Sequence, residues 1–580
     1  MNKIISALLN DYQSNQEDCI KSLPLESAFE HYAAFLTVGP LTNDTVDTTT
    51  IALGEDGQPS VDAIATIING ALLTEPDDID TYLELNKYLD VDFVFVQAKT
   101  SPSFSVDVLG SLGDFVKRVF TDGSAAVDNQ RVQDFVKLKD AIYKKVKHFT
   151  RRNPNVHLYY VATGNVPEVD KHFELKSDRL KKQLKNLNIF NDVKIDCIGA
   201  AQLQKLDRQM SSALSRTITF QRRVPLPKIP HVDQSYLGAL PAKEFLSLLS
   251  NENDNLLQAI FYDNVRDWQG LNDVNSGIKS TLESPAEKAR FVLMNNGVTI
   301  IARKILESGD TLVVDDYQIV NGCQTSHVLW QCRESLDDAV LVPLRLIATS
   351  DEAVVRGIIQ ATNSQTEVSQ SQLLAVSDFQ KQLEIFFSAQ TSLPLFYERR
   401  SRQFSGKPVE KTKIVSPVTL IKAFASMFLA EPHRTSRDFA STLKRVGTDI
   451  FAKDHKHEPY YLAALTLYWV LYLIRNGKIP KELLIARFHI LLAVRLLLEK
   501  APPEQMTSKK IQKYSTEMAK RFSDAASAET AMKQAVHFVS RLAKKHKYSR
   551  DVIRSAAFTT ELVTLVKTKK SVLTRGKVMD

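Results

Sequence analysis

Cysteine is scarce in this chain: four residues in 580, at positions 19, 197, 323 and 332, with no Cys-x-x-Cys pair. That spacing argues against a zinc site and a disulfide framework, and it suits a reducing cytosol. Long apolar runs are missing as well. The most hydrophobic stretch, YYLAALTLYWVLYLI (Tyr460 to Ile474), falls short of the roughly 18 to 20 residues that span a bilayer. It is expected to be a buried core helix, with no membrane as partner. The opening MNKIISALLNDYQSNQ lacks a long apolar core followed by a small-residue cleavage site, so it reads as a helix rather than a signal peptide. No GxxxxGK followed by Ser or Thr occurs, which leaves a P-loop ATPase unsupported. Internal repeats and low-complexity tracts are also missing. Charge of one sign is modest: the net +7 permits nucleic acid as a partner without requiring it.

What is present is a chain too long for one core. Up to about residue 215, helical and strand patterns interleave. Two helical stretches come first, the second being LPLESAFEHYAAFLTV. TTTIALGEDGQPSVDAIATIING then reads as strand, Asp-Gly turn, strand. VDFVFVQAK, VHLYYVATG and VKIDCIGA follow as strands, separated by charged helices such as DRLKKQLKNL. This interleaving predicts an α/β layer with helices on both faces. Residues 216–233, with three prolines and little periodicity, read as a linker. A mixed α/β region over 234–413 has strands GVTIIARKI, TLVVDDYQIV and VLVPLRLIAT. Residues 414–580 carry apolar residues at helical spacing and predict a helical bundle with a basic tail. That tail (RLAKKHKYSR, KTKKSVLTRGK) reads either as a solvated helix face or as a phosphate-contacting patch.

The end of the third of these strands raises a chemical question. In VDFVFVQAKTS, residues Phe93, Phe95, Gln97 and Lys99 share one face, because only i and i+2 do. Metal-dependent phosphodiester cleavage needs hard oxygen ligands and a group that steadies the attacking water. Asp62 precedes this strand, Gln97 and Lys99 lie two residues apart on it, and Glu26 and Glu30 sit one turn apart on an upstream helix. The plainer reading is that Gln97 and Lys99 cap a strand and Asp62 closes a hairpin.

In these residues the chain resembles the restriction-endonuclease-like superfamily, the PD-(D/E)xK nucleases. The closer resemblance is to the Mrr-like subgroup, whose order is helix with Phe-Glu, strand with Asp, strand with Gln-x-Lys. Phe29-Glu30, Asp62 and Gln97-Ala98-Lys99 follow that order. The resemblance implies a restriction-endonuclease-like α/β domain over residues 1–215 that cleaves DNA with Mg²⁺ or Mn²⁺. Asp62, the Gln97 oxygen and Glu30 would serve as ligands, and Lys99 would position water and stabilise developing charge. A neutral amide is a poorer Mg²⁺ ligand than a carboxylate, which keeps a non-catalytic nucleic-acid binder in play. Glu26 stays an alternative to Glu30.

The second region holds polar clusters that no core requires: FYDNVRDWQG, MNNGVTI, YQIVNGCQTSHVLW and ATNSQTEVSQSQL. In the third, YQIV reads as strand, Asn321-Gly322 as a tight turn, and CQTSHVLWQC as a helix start. A helix N-terminus behind a glycine turn offers unpaired N–H groups to an anion. A phosphate pocket is expected from Asn321, Gly322, Gln324 and Thr325, with Arg266 and Arg399 at its rim; the alternative for the arginines is a structural role on nearby carboxylates. Together these motifs, from Phe261 through LFYERR, resemble the AIPR family, named for abortive infection phage resistance. The resemblance implies a cytoplasmic bacterial antiphage protein in which the AIPR region senses or regulates. It leaves open RNA as substrate, self-assembly, partnership with other defence proteins, and an accessory role in transcription or restriction-modification. Three further features carry less. DHKHE (Asp454 to Glu458) is expected to be an exposed loop and His489 a core histidine. A Cys323–His327 nucleophile pair is the weakest candidate.

Overall fold

The strand patterns of the first 350 residues become two separate sheets. A computed structural model describes residues 3–576 except 43–44, 55–59, 77, 87, 122–128, 150–151, 165–170, 212–213, 251–255, 262–272, 363–366, 400–402, 405–406 and 499–504. The chain divides into two units. The first comprises Met1–Ser14, Pro24–Gln370 and Arg400–Pro408; the second comprises Asn15–Leu23, Ser371–Arg399 and Val409–Asp580.

In the first unit, helices Lys3–Ser14 (α1) and Leu25–Val38 (α2) precede a five-stranded sheet. Its strands are Ala63–Ile68 (β1), Ala71–Leu73 (β2), Val91–Lys99 (β3), Asn155–Ala162 (β4) and Val193–Ile198 (β5). The order is β2-β1-β3-β4-β5. β1 runs antiparallel to β2 and β3, whereas β3, β4 and β5 are parallel. The β1–β2 hairpin turns at Asn69 (φ 52°) and Gly70 (φ 82°), the left-handed pair that matches strand twist. The Asn69 amide also donates to the Tyr88 carbonyl and accepts from the Asp90 N–H.

The strand expected over TTTIALG is not formed: Thr48–Thr50 is a single 3₁₀ turn. Three β-branched threonines favour a strand, but the Asp47 carboxylate accepts from the Thr49 N–H (3.0 Å) and hydroxyl (2.6 Å) and caps the turn instead. One bridge, Ala52 to Ala63, is the remnant of the predicted pairing. The Asp56-Gly57 turn lies outside the described residues.

Every β3 residue from Val91 to Ala98 is buried. Phe93 and Phe95 share a core with Leu112 and Phe115 of helix Val106–Thr121 (α3) and with Phe135 of helix Gln130–Tyr143 (α4). α2 packs against the same strand and against helix Ala200–Ser211 (α6), while helix Lys171–Lys185 (α5) packs on α3. Helices on both faces exclude water from both side-chain rows, which is why FVFV (Phe93 to Val96) is apolar throughout rather than alternating.

A six-stranded sheet follows, ordered β6-β10-β9-β11-β8-β7. Its strands are Ser215–Thr219 (β6), Arg223–Pro225 (β7), Gln234–Pro241 (β8), Val298–Ser308 (β9), Thr311–Asn321 (β10) and Leu341–Ala348 (β11). The segment read as a linker over 216–233 therefore supplies both edge strands, β6 and β7. Pro225 ends β7 after three residues and hides it from a sequence pattern, and an edge is where a sheet tolerates a residue without an N–H. One face of this sheet shares a core with helices Ala242–Leu249 (α7) and Cys323–Gln331 (α8), through Phe245, Leu248, Val328 and Leu329.

Among its described residues the second unit is helical apart from a two-residue pairing of Phe396–Tyr397 with Ile414–Val415 and a single bridge between Val446 and Ile450. Helices Pro417–Phe428 (α9), Glu458–Arg475 (α10), Arg487–Leu498 (α11), Ala525–Lys545 (α12) and Ala556–Gly576 (α13) surround one large apolar core. α10, the most hydrophobic segment of the sequence, is buried from Pro459 to Val470. Among the described residues, no helix is long and apolar enough to cross a membrane. Part of the basic tail is paired, since Lys545 and His546 both bond Glu561, at 2.6 and 2.9 Å.

Candidate active site

Asp62 is the residue just before β1, and pairing of β1 with β3 sets it opposite the end of β3. Its N–H donates to the Val96 carbonyl at 2.8 Å. Its Oδ2 accepts from the Ala98 N–H and from Gln97 Nε2, both at 2.6 Å. Gln97 is fully buried. With its Nε2 committed to a carboxylate, its Oε1 points the other way and has no hydrogen-bond partner among the described residues. A buried acceptor without a donor is uncommon, and costs free energy unless something positive meets it.

Glu30, on the second turn of α2, joins this group. Burial first, then the charge of Asp62, push its pKa up to about 7, with Lys99 opposing and Glu26 adding a little. Burial likewise raises Asp62 to about 6, against the Ala98 N–H and Lys99, which both lower it. The Asp62 carboxylate thus disfavours the charge of Glu30, and the Lys99 ammonium favours the charge of both, near the end of β3. Glu26 is exposed one turn earlier, and it is Glu30 that feels both Asp62 and Lys99.

The arrangement can be tested against a hard cation. Among the described residues, no group of three or more His, Cys, Asp or Glu could hold a metal ion. This cluster supplies two carboxylates and an amide oxygen. The Gln97 Oε1, unpartnered among the described residues, and the two carboxyl groups are hard oxygen donors of the kind that Mg²⁺ or Mn²⁺ takes.

The polar motifs of the second sheet converge elsewhere in the same unit. β10 ends at Asn321, Gly322 takes φ +95° as the N-cap, and α8 begins at Cys323. A Cβ on Gly322 would stand 2.8 Å from Val298 Cγ2 and 3.1 Å from the Gly297 carbonyl, so the two Asn-Gly turns lie back to back. Asn295 Nδ2 donates to Thr325 Oγ1 at 3.2 Å, and Asn321 Nδ2 donates to the Thr362 carbonyl at 2.7 Å. The Phe261 ring lies 4.6 Å from that of His327. Residues from all four polar motifs therefore meet around the start of α8.

A family model for AIPR protein matches residues 261–574. The chain belongs to the AIPR family. The match begins with the first of those motifs and continues through the helices of the second unit to within α13, so AIPR is more than half of this chain. The five-stranded sheet lies before it. No curated protein and no solved structure matches.

Within the AIPR region, the residues singled out from sequence have distinct fates. Asn321 and Thr325 spend their side chains joining segments, Gly322 supplies the positive φ, and Gln324 is half-buried on the first turn of α8. Arg399 belongs to the second unit, where it is buried and donates to Glu384 at 3.2 Å. That is the structural role weighed for it, on a different carboxylate. Arg266 lies outside the described residues.

Cys323 Sγ is 3.5 Å from His327 Nδ1, but that nitrogen is 3.0 Å from the Cys323 carbonyl. A carbonyl only accepts, so Nδ1 carries the proton there and cannot take one from the thiol. DHKHE is a loop leading into α10, exposed at Asp454 but half-buried after it: His455 bonds the Tyr460 hydroxyl at 2.9 Å, and the His457 ring lies 4.9 Å from that of Phe379. His489 is a core histidine, bonded to Thr559 and pushed down to about 3 by burial.

Sequence reasoning missed the network at the opposite end of β3. Asp92 is buried and accepts from Asn155 (2.8 Å), pairs with His157 (3.0 Å) and meets Arg152 (3.3 Å). An aspartate at an even position of a hydrophobic strand was the available signal.

Proposed function

We propose that this AIPR protein acts in antiphage defence and that its five-stranded sheet carries a divalent-cation-dependent nuclease centre cleaving DNA. The observation that supports it is the gathering of Glu30, Asp62, Gln97 and Lys99 at one strand end, with a buried, unpartnered amide oxygen among two carboxyl groups. Asp62, Gln97 Oε1 and Glu30 would hold the cation, which supplies Lewis-acid polarisation of a phosphoryl oxygen and a more acidic water. Lys99 orients the attacking water and offsets the negative charge that develops on the phosphate. The resemblance to Mrr-like enzymes favours DNA over RNA, and the AIPR region is assigned the sensing or regulating part.

Purified protein is incubated with plasmid DNA and with single-stranded RNA in Mg²⁺ or Mn²⁺, beside Lys99→Ala. Nicking or degradation by wild type, lost by at least a hundredfold in the variant, is expected. Equal products from both would sink the reading.

A second reading has its own support. Because Gln97 closes on Asp62 and is neutral, the centre can hold nucleic acid without cutting it. A sensor or adaptor of that kind would bind DNA equally with and without Mn²⁺, and Asp62→Asn would not change Mn²⁺ uptake.

A further inference from the structure

The five-stranded sheet ends on one side in β2, of three residues, and on the other in β5, of six. The register of β5 with β4 runs unbroken from Val193 to Ile198, without bulge or proline. Open edges of that length are ordinarily blunted by bulges, prolines or charges that repel a second strand. β5 has neither of the first two, and its charged residues, Lys194 and Asp196, are of opposite sign.

In a parallel pair, an edge strand bonds its neighbour through alternate residues. The Val156 N–H donates to the Asp192 carbonyl at 3.0 Å, so Asp192, Lys194 and Asp196 turn their backbone groups toward β4. Val193, Ile195 and Cys197 therefore turn theirs to the outer edge. The Val193 N–H is taken by the Asp192 carboxylate at 2.8 Å. For the N–H and carbonyl of Ile195 and of Cys197, no partner is found among the described residues. Asp196 is exposed and Lys194 half-buried, so this side of the strand meets solvent. Backbone groups are obligatory hydrogen-bonding groups, and a row of them without partners is a template for another strand.

Charge decides which strand fits. A two-fold axis makes the pairing of two copies antiparallel, and it must set outward-turned residues opposite one another. With the axis at Ile195, the Ile195 N–H of each copy meets the Ile195 carbonyl of the other, and the Cys197 N–H meets the Val193 carbonyl. Lys194 then stands opposite Asp196 of the second copy on both sides of the axis, a cross-strand pair of opposite charge. An axis at Lys194 or at Asp196 would set lysine against lysine or aspartate against aspartate. One at Val193 or Cys197 shortens the overlap. On the other face Val193 and Ile195, already part of the core, would continue it into the second copy.

We infer that β5 is a self-docking edge: two copies of this chain join through β5 about Ile195, merging their five-stranded sheets into one. Because β3, β4 and β5 are parallel, the Lys99 ends of the two β3 strands lie at opposite ends of the joined sheet. This pairing needs no catalysis at β3 and stands apart from the nuclease reading.

The full chain is run by sedimentation velocity over a concentration series, without nucleic acid or metal, and wild type is expected to dimerise. Lys194→Asp and Asp196→Lys each set like charges opposite one another and are expected to weaken the dimer roughly tenfold or more. Lys194→Asp/Asp196→Lys should restore it. Residue-resolved amide exchange of wild type reads the edge independently of any variant. Ile195 and Cys197 should gain protection as concentration rises, whereas Lys194 and Asp196, bonded to β4, should not change. A wild type that stays monomeric overturns the pairing, as does a dimer that neither reversal weakens or whose Ile195 and Cys197 amides stay unprotected. A double swap no tighter than the single reversals overturns the register about Ile195.

Discussion

Asp62 illustrates what burying a carboxyl group costs a fold. Its carboxyl group titrates near 6 rather than the ordinary 3.8, because burial disfavours the charged form. A folded-state pKa above the unfolded one means the folded chain holds its proton longer. Folding is therefore opposed progressively as pH rises from about 4 to about 6, and the full penalty stands at neutral pH. Asp62→Asn keeps an acceptor for the Ala98 N–H and removes the charge. We expect it to raise the thermal midpoint at pH 7.5 in EDTA, measured by scanning calorimetry. Mn²⁺ should raise the wild-type midpoint and leave that of the variant unchanged. A variant less stable than wild type in EDTA would mean that Asp62 is structural. The neighbouring Gln97 shows the same tension in a neutral group, through an amide oxygen that no described donor meets.

At the scale of elements, the turn that joins β10 to α8 holds the AIPR motifs together. Gly322 has φ +95°, and Val298 fills the space where a Cβ would go. Gly322→Ala should cost about 1–3 kcal/mol from backbone strain, with the clash against Val298 adding to it. Amide exchange in α8 and around Asn295 should rise, whereas β3 should be untouched; unchanged protection of α8 would mean that the turn accommodates the methyl. Much of this element was legible, since strand, Asn-Gly and helix follow one another in YQIVNGCQTSHVLW. What it binds to was not, because Asn295 bonds Thr325 and Thr362 bonds Asn321 across 30 and 41 residues of chain. The β6 and β7 edges were illegible for another reason. A three-residue strand ending in proline leaves no period to detect, and only pairing with β8 defines it. Thr48–Thr50 failed the opposite way, since strand propensity was overruled by one carboxylate cap.

Across the whole molecule, residues Asn15–Leu23 count with the second unit, although the chain before and after them belongs to the first. Glu17, only 2% exposed, accepts from Arg475 Nε (2.7 Å) and NH2 (2.5 Å) at the C-terminal end of α10, and from Thr412 at 3.2 Å. A buried pair of this kind adds little net stability over an apolar replacement, but losing one partner strands the other charge. Arg475→Met alone should cost about 3–5 kcal/mol, whereas Glu17→Leu/Arg475→Met should recover most of it. Chemical denaturation of the three proteins decides this; equal losses in the single and double variants would show that packing, not charge, sets the cost.

The sequence by itself determined what depends on neighbours along the chain. These are the helices of the second unit, β3 and β9 to β11, the glycine turns, and membership in the AIPR family through ordered local motifs. It also held the Glu30, Asp62, Gln-x-Lys order, because strand alternation is a local rule. Only the tertiary structure decided that Asn295 meets Thr325, that Glu17 pairs with an arginine 458 residues away, and that Gly164 lies against the loop after Lys99. Those choices depend on which surfaces pack and which polar groups burial leaves to find partners. No spacing within a segment encodes either.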